Sequence, residues 1–171
     1  MRNLNVDTPL IKLAYDIAFE AHEATGAKYG DLPYIEHPIE VASLAQLLGY
    51  APEVVAGCLL HDVLEDTVLR REDLSRLGIP PIVADGVEAV TWQNGIDTLN
   101  KVDKARSHPL GHVIKFCDSS RNFATTVNAP ETLGSDRALS WAQDYAQKLG
   151  SLVIGLPAPR DIELFIEASR L

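Results

Sequence analysis

The residues best suited to chemistry lie in the hexapeptide HDVLED at positions 61–66. If this segment is helical, the spacing of His61, Asp62, Glu65 and Asp66 places four ionisable groups on adjoining strips of one helix face. An almost wholly apolar run precedes them, so burying an imidazole and three carboxylates beside it is costly unless a cation neutralises them. A divalent metal ion would supply that charge, whereas an exposed polar helix end would need none. The hexapeptide alone leaves both interpretations open.

Two further residues extend this pattern. His37 lies in PYIEHP, where a helix is predicted to start, and Asp118 follows the apolar run HVIKFC. Taken singly, His37 fits a capping or core histidine and Asp118 fits a helix N-cap. Together with His61 and Asp62 they make a set of two imidazoles and two carboxylates, which suits a hydrolytic metal ion. The combination therefore favours a metal site over isolated structural roles.

Helical periodicity and proline or glycine punctuation predict the elements that position these residues. Thr8 and Pro9 predict the start of one amphipathic helix, and Gly26 predicts its end. Similar patterns predict helices over 34–48, from 52 through the HDVLED segment, and near 70–77, 80–92, 96–106, 109–128, 136–150 and 160–170, with a break inside 109–128 left open. No segment shows convincing strand alternation. We expect a compact, all-α, single-domain fold of many helices over residues 1–171.

Length, composition and charge exclude several functional classes. The 171 residues include 46% hydrophobic and 23% charged residues, typical of a soluble globular protein, and the formal charge of −9 disfavours nucleic acid as a partner. A chain of this length needs no structural metal, so a bound metal would serve chemistry. The N-terminus lacks a signal-peptide core and no run is long enough for a membrane helix, so we expect a cytoplasmic protein. The two cysteines, Cys58 and Cys117, lie in apolar runs and are expected to be buried and reduced.

Four segments carry a family resemblance: AFEAHEATGAKYGDLPYIEHPIEVA at 18–42, AGCLLHDVLEDT at 56–67, VADGVEAVT at 83–91 and VIKFCDSSRN at 113–122. They resemble the HD superfamily of metal-dependent phosphohydrolases and, within it, the stand-alone alarmone hydrolases related to the hydrolase domain of RelA/SpoT proteins. The resemblance implies a helical bundle and a divalent metal, usually manganese. It also implies a small nucleotide substrate, a guanosine tetra- or pentaphosphate alarmone that loses its 3′-pyrophosphate.

The same resemblance assigns roles to individual residues. The implied metal ligands are His37, His61, Asp62 and Asp118. Glu65 and Asp66 match the catalytic acidic pair that orients or deprotonates the attacking water. Lys28 lies near the family's basic residue before the PYIEHP block, and Asn122 matches a position that contacts the nucleotide sugar. The chain departs from the family at 118–122, where DSSRN replaces a sequence closer to DRLHN or DLAHN, so base or phosphate contacts are expected to differ.

Two alternatives to alarmone hydrolysis stay open. One is an HD phosphohydrolase acting on another nucleotide, such as an adenosine alarmone or a nucleoside monophosphate. The other is an HD domain that binds a nucleotide or a protein partner without turnover. Fe²⁺, Co²⁺ and Zn²⁺ are alternatives to Mn²⁺, and the sequence indicates no oligomeric state.

The remaining polar and aromatic residues favour ordinary structural roles. His22 fits a packed core histidine, and His108 and His112 fit a helix start or the surface. Trp92 and Tyr34 are interpreted as core aromatics rather than as base-stacking groups. A further set of basic residues could supply phosphate contacts, but each one taken singly is interpreted as solvated: Lys101, Lys104, Arg106, Lys115 and Arg121.

Overall fold

The computed structural model describes residues 4–92, 98–128 and 135–170. The helices are α1 (Pro9–Thr25), α2 (Glu36–Leu47), α3 (Pro52–Leu60), α4 (Val63–Asp66), α5 (Arg71–Arg76), α6 (Pro81–Val90), α7 (Thr98–Arg106), α8 (Pro109–Asn128), α9 (Ser135–Val153) and α10 (Pro159–Ser169). A short antiparallel hairpin separates α1 from α2, with β1 (Lys28–Tyr29) paired to β2 (Leu32–Pro33). Apart from this hairpin, the all-α prediction is confirmed. No helix of the described residues is long and apolar enough to cross a membrane.

The predicted start and stop signals act where the sequence places them. Thr8 adopts extended backbone before Pro9 opens α1, and its carbonyl accepts the N–H of Lys12 at 3.0 Å. Gly26 ends α1 with a φ of 67°, a left-handed conformation that glycine adopts without steric strain. The helix α8 runs without interruption from Pro109 to Asn128.

The centre of the fold is α3. Every residue from Glu53 to Leu60 is buried, and the helix packs against α1, α2, α6 and α8. Both cysteines lie in this region as buried free thiols, which confirms their predicted state. A helix that is apolar on all sides requires neighbours on all sides, so α3 fixes the positions of the helices around it.

Two glycines allow the closest helix approaches. A Cβ on Gly57 of α3 would lie 2.6 Å from Cδ1 of Ile114 on α8. A Cβ on Gly111 of α8 would lie 2.9 Å from Cβ of Ala89 and 3.0 Å from the carbonyl oxygen of Ala105. Because these positions carry no side chain, α8 packs directly against both α3 and α6.

The helix predicted to continue through HDVLED does not do so. It ends at Leu60, and α4 begins at Val63 after a turn formed by His61 and Asp62. The carbonyl of Asp62 starts the new helix by accepting the N–H of Asp66 at 2.9 Å. Successive residues of a continuous helix point about 100° apart, so the turn is what allows His61 and Asp62 to face the same centre. The prediction of a single helical face carrying all four acidic and imidazole groups is therefore wrong.

Candidate metal centre

Three side chains from three different helices meet in a buried cluster. His37 lies in the first turn of α2, His61 follows the last residue of α3, and Asp118 lies in the middle of α8. One ligand atom of each lies within 4.8 Å of the others, and all three residues are buried. Asp118 is thus inside a helix and the N-cap interpretation is wrong. This convergence of two imidazoles and a carboxylate is what a transition-metal site requires.

Asp62 adds a second carboxylate to the cluster. Its Oδ2 lies 3.0 Å from Nε2 of His61 and 3.8 Å from Nε2 of His37. On the other side, Oδ1 of Asp118 lies 3.4 Å from Nε2 of His37 and 3.7 Å from Nε2 of His61. The two histidine Nε2 atoms therefore lie between the two carboxylates. The structure brings together all four residues that the sequence singled out as ligands.

The backbone orients the ring of His61. Its Nδ1 lies 2.8 Å from the carbonyl oxygen of Cys58, one turn earlier on α3. Because a carbonyl only accepts hydrogen bonds, Nδ1 carries the proton there, and in the neutral ring the lone pair is on Nε2. That Nε2 atom is buried and faces Oδ2 of Asp62 at 3.0 Å. A buried, correctly oriented lone pair is the arrangement of a metal-ligating histidine.

Hydrogen bonds from outside the cluster hold both carboxylates. The hydroxyl of Tyr34 donates to Oδ2 of Asp62 at 2.6 Å. The ammonium of Lys115 donates to Oδ2 of Asp118 at 2.7 Å, and Nδ2 of Asn122 donates to Oδ1 of Asp118 at 2.5 Å. Each carboxylate is therefore fixed in orientation by a partner that is not itself in the cluster.

The charges of the cluster shift its pKa values strongly. Burial alone would lower the pKa of His61, but Asp62 and Asp118 outweigh it and raise that pKa to about 9. Burial opposes ionisation of Asp62, yet His61 lowers its pKa to about 2. Burial likewise opposes ionisation of Asp118, and Lys115 with the two imidazoles holds the pKa of its carboxyl well below the usual range. At neutral pH the metal-free cluster therefore contains two carboxylate anions balanced by the His61 imidazolium and Lys115, and a metal ion would displace the His61 proton.

Glu65 and Asp66 lie outside the cluster and are exposed. Oε2 of Glu65 accepts the backbone N–H of Trp92, just after α6, at 3.0 Å. Burial, together with the charge of Asp62, raises the pKa of Asp66, and the hydroxyl of Tyr34 opposes that rise. Both residues lie on α4, directly after the turn that carries Asp62, and neither belongs to the cluster of His37, His61 and Asp118.

The hairpin borders the centre. Lys28 is exposed on β1, and the ring of its neighbour Tyr29 lies 5.2 Å from the ring of His37. The hydroxyl of Tyr29 is hydrogen-bonded to Thr125 of α8 at 2.9 Å. A cleft of about 580 Å³ opens here between the hairpin, α2 and α8. It is lined by Tyr29, Asp31, Leu32, Glu40, Arg121, Ala124, Thr125 and Asn128.

A model of the HD domain family matches residues 14–112, which is more than half of the 171 residues. The chain belongs to the HD domain family. The match includes His37, His61 and Asp62, and Asp118 follows shortly after its end. The resemblance stated from the sequence is thereby confirmed.

Relatives of this HD domain include several RelA/SpoT-type proteins. It is 32% identical over 97 residues to the GTP pyrophosphokinase rsh of Brucella melitensis, covering 57% of this chain and 13% of that protein. It is 36% identical over 123 residues to a GTP pyrophosphokinase of Streptomyces coelicolor, covering 67% and 14%. It is 37% identical over 81 residues to the bifunctional (p)ppGpp synthase/hydrolase SpoT of Escherichia coli, covering 47% and 11%. The HD domain thus corresponds to at most 14% of each of these three relatives.

A solved structure has the same fold as this HD domain. It belongs to a metazoan ortholog of SpoT that hydrolyses ppGpp, and the two chains superpose with a TM-score of 0.68. The superposition covers 98% of this chain and 100% of the other at 22% sequence identity. The arrangement of helices in this HD domain is therefore the same as in that structure.

Sequence reasoning missed the role of Lys115 in the HD domain. It was interpreted as a solvated lysine, but its ammonium is paired with Asp118 and its side chain is only 22% exposed. The signal was present, because Lys115, Asp118 and Asn122 are spaced i, i+3 and i+7 on a helix that the sequence predicted. His112 was also misplaced: it is buried, with Nε2 lying 2.7 Å from the carbonyl oxygen of Leu152.

His22 is a core residue, as the sequence indicated. It is 1% exposed on α1, and its ring packs against the ring of Tyr34 with centroids 4.7 Å apart. Burial lowers the pKa of His22. Tyr34, which the sequence placed in the core, instead links this packing to Asp62.

Proposed function

We propose that this HD domain is a metal-dependent hydrolase that removes the 3′-pyrophosphate from guanosine tetra- and pentaphosphate, releasing pyrophosphate and leaving a guanosine 5′-di- or triphosphate. The observation that carries the proposal is the buried cluster of His37, His61 and Asp118, in which the Cys58 carbonyl orients the His61 ring so that Nε2 faces the carboxylates. The names of the SpoT relatives support the choice of substrate.

The donor set fits a first-row transition metal. His37, His61, Asp62 and Asp118 would hold the ion through two imidazole nitrogens and two carboxylate oxygens, and Mn²⁺ suits such a mixed set. When bound, the ion supplies Lewis acidity and lowers the pKa of a water ligand from 15.7 toward about 7. The hydrogen-bond partners of these residues outside the cluster, such as Tyr34, hold the ligand side chains in place before any ion binds.

Glu65 and Asp66 act on the attacking water in this proposal. The Trp92 N–H holds the Glu65 carboxylate on α4, and we assign to it the acceptance of a proton from water and its return to the leaving group. Asp66, whose pKa is raised by burial and by Asp62, is suited to share that proton. Such a positioned base is typically worth about 10²- to 10⁴-fold in rate.

Cations near the centre favour a substrate with several phosphates. The ammonium of Lys101 lies 4.5 Å from the centre of the Trp92 ring. Burial lowers the pKa of Lys101, Glu65 opposes that change, and Lys115 and Lys148 lower the pKa further. Lys115 and Lys148 are paired with Asp118 and Asp144, so Lys101 over the Trp92 ring is the lysine of this group that we expect to attract a phosphate in a protein of net charge −9.

The cleft beside the hairpin provides room for the nucleoside. Its volume of about 580 Å³ lies within the ordinary range for small-molecule sites, roughly 300–1,000 Å³. Lys28 and Asn122 each neighbour in sequence a residue that lines it, Tyr29 on β1 and Arg121 on α8. We assign Lys28 to a phosphate group and Asn122 to the sugar.

The test is a product assay with metal-stripped protein. The protein is loaded with Mn²⁺, Fe²⁺, Co²⁺ or Zn²⁺ singly and incubated with ppGpp, with its adenosine counterpart or with GMP. The products are separated by anion exchange. Conversion of ppGpp to GDP and pyrophosphate supports the proposal, and Asp118→Asn is expected to abolish it. Release of orthophosphate alone, preference for GMP, or recovery of unchanged nucleotide would each contradict it.

A further inference from the structure

Both oxygens of the Asp118 carboxylate are already engaged. Oδ2 accepts from the ammonium of Lys115 at 2.7 Å, and Oδ1 accepts from the amide of Asn122 at 2.5 Å. Oδ1 faces the imidazoles and lies 3.4 Å from His37 Nε2 and 3.7 Å from His61 Nε2. The carboxylate therefore presents one oxygen to the cluster and keeps the other against a lysine.

This orientation is built into α8. Lys115 and Asp118 lie one helical turn apart, so their pairing requires no other element and no ligand. The side chain of Asp118 is 7% exposed and that of Lys115 is 22% exposed, so water replaces neither partner easily. Turning Oδ2 away from Lys115 would leave a mostly buried ammonium without its carboxylate, which is strongly unfavourable.

We propose that Lys115 is a positioning residue that restricts Asp118 to one metal-ligating oxygen. The proposal rests on the metal-dependent hydrolysis proposed above. Carboxylates bind metal ions through one or two oxygens, and a second oxygen occupies a coordination position. By holding Oδ2, Lys115 keeps that position for the attacking water or for a phosphate oxygen of the substrate.

The charge of Lys115 has a separate effect that makes the proposal testable. An ammonium next to a ligand oxygen repels a divalent cation, so removing it does not weaken metal binding as the loss of a ligand would. A lysine that merely stabilised the fold, or one that built the metal site, would behave differently. Removing a lysine that only stabilised the fold would leave metal binding unchanged. Removing a lysine that built the metal site would weaken metal binding.

The experiment uses Mn²⁺ as the probe and compares Lys115→Met with Lys115→Arg. Lys12→Met is the matched control, because Lys12 pairs with Asp16 at the same short range, 2.6 Å, on the exposed face of α1. The Mn²⁺ dissociation constant is measured by calorimetry, the number of water ligands on bound Mn²⁺ by water-proton relaxation, and kcat by the pyrophosphate assay. Lys115→Ala replaces the methionine variant if that variant does not fold.

We expect Lys115→Met to bind Mn²⁺ at least as tightly as the wild type, to lose about one water ligand, and to lose at least tenfold in kcat. Lys115→Arg keeps a cation that can donate to Oδ2 and is expected to retain the water ligand. An unchanged water count in Lys115→Met, or Mn²⁺ binding weakened tenfold or more, would overturn the role assigned to Lys115. Failure of the wild-type protein to bind Mn²⁺ or to release pyrophosphate would instead refute the proposed function. That outcome is measured on the wild-type protein alone.

Discussion

The hydroxyl of Tyr34 donates a hydrogen bond of 2.6 Å to Oδ2 of Asp62, the same oxygen that faces Nε2 of His61. Tyr34 precedes α2, whereas Asp62 lies in the turn between α3 and α4. This bond therefore ties the segment that carries His37 to the turn that carries His61 and Asp62. Because the Tyr34 ring also packs on His22 of α1, the orientation of Asp62 depends on three parts of the fold.

Tyr34→Phe tests this relationship. It removes the hydroxyl and leaves the ring to pack on His22, so we expect the fold to persist and metal affinity to fall by about tenfold, the lower end of the usual effect of such partners. Tyr50→Phe is the control, because it removes a hydroxyl that donates to the carbonyl of Pro157 at 2.8 Å, away from the cluster. Calorimetric titration with Mn²⁺ measures both. Equal affinities for the two variants would show that Tyr34 does not position Asp62.

Glu65→Gln separates chemistry from binding. The amide keeps the size of the side chain and loses the base, so we expect metal and nucleotide affinity to be retained while kcat falls by about 10²-fold or more. Steady-state kinetics and metal titration on the same sample provide the measurement. Loss of the metal together with activity would place Glu65 among the ligands, and retained kcat would leave it with no catalytic role.

Lys28→Ala tests the assigned phosphate contact. Lys28 is exposed on β1 and lies outside the metal cluster, so removing it should weaken binding of substrate and transition state alike. KM for ppGpp is then expected to rise severalfold while kcat changes by less than about twofold. Lys12→Ala on α1 is the control and should leave both constants unchanged. A fall in kcat at unchanged KM would contradict the contact.

The stability of the metal-free protein is expected to depend on pH through His61. Its folded pKa of about 9 lies above the unfolded value of about 6.5, so this group stabilises the fold fully below pH 6.5 and stops doing so as pH rises through 9. The free energy of unfolding should therefore decrease between these values, by on the order of 3 kcal/mol, in urea titrations of metal-free protein. The lowered pKa of Asp62 acts at the other end, where its contribution is lost as pH falls from 3.8 through about 2.

Metal binding should follow the opposite trend. Because an ion displaces the proton on His61, affinity for Mn²⁺ should keep rising with pH above 6.5 rather than levelling off there. His61→Gln removes the titrating imidazole and is expected to flatten the pH dependence of the unfolding free energy of the metal-free protein. A wild-type affinity that is constant between pH 6.5 and 8 would show that His61 is already neutral in this range.

Two glycine-to-alanine substitutions test the helix packing. Gly111→Ala places a methyl group 2.9 Å from Cβ of Ala89 and 3.0 Å from a backbone oxygen, so we expect a loss of about 1–3 kcal/mol in unfolding free energy. Gly150→Ala in α9 meets nothing within 4 Å and should stabilise the protein by about 0.5–1 kcal/mol through helix propensity. Urea unfolding measures both, and a neutral Gly111→Ala would show that α6 and α8 separate easily.

The sequence by itself determined the helices other than the one predicted to continue through HDVLED, and it determined the identity of the cluster residues. Start and stop signals such as Pro9 and Gly26 act through local backbone geometry, which explains why α1 has the predicted ends. The grouping of His37, His61, Asp62 and Asp118 could also be predicted, because burying several ionisable groups among apolar residues is tolerable only when they meet.

The tertiary structure alone decided how those residues are oriented. The turn at His61 and Asp62 interrupts a segment whose periodicity predicted one helix, so Glu65 and Asp66 lie on α4 outside the cluster and Trp92 contacts Glu65. The pairing of Lys115 with Asp118 fits the helical spacing. Whether a lysine at that spacing is solvated or buried depends on the helices that pack around it. Orientation and burial depend on contacts between residues far apart in the chain, and local propensities do not encode those contacts.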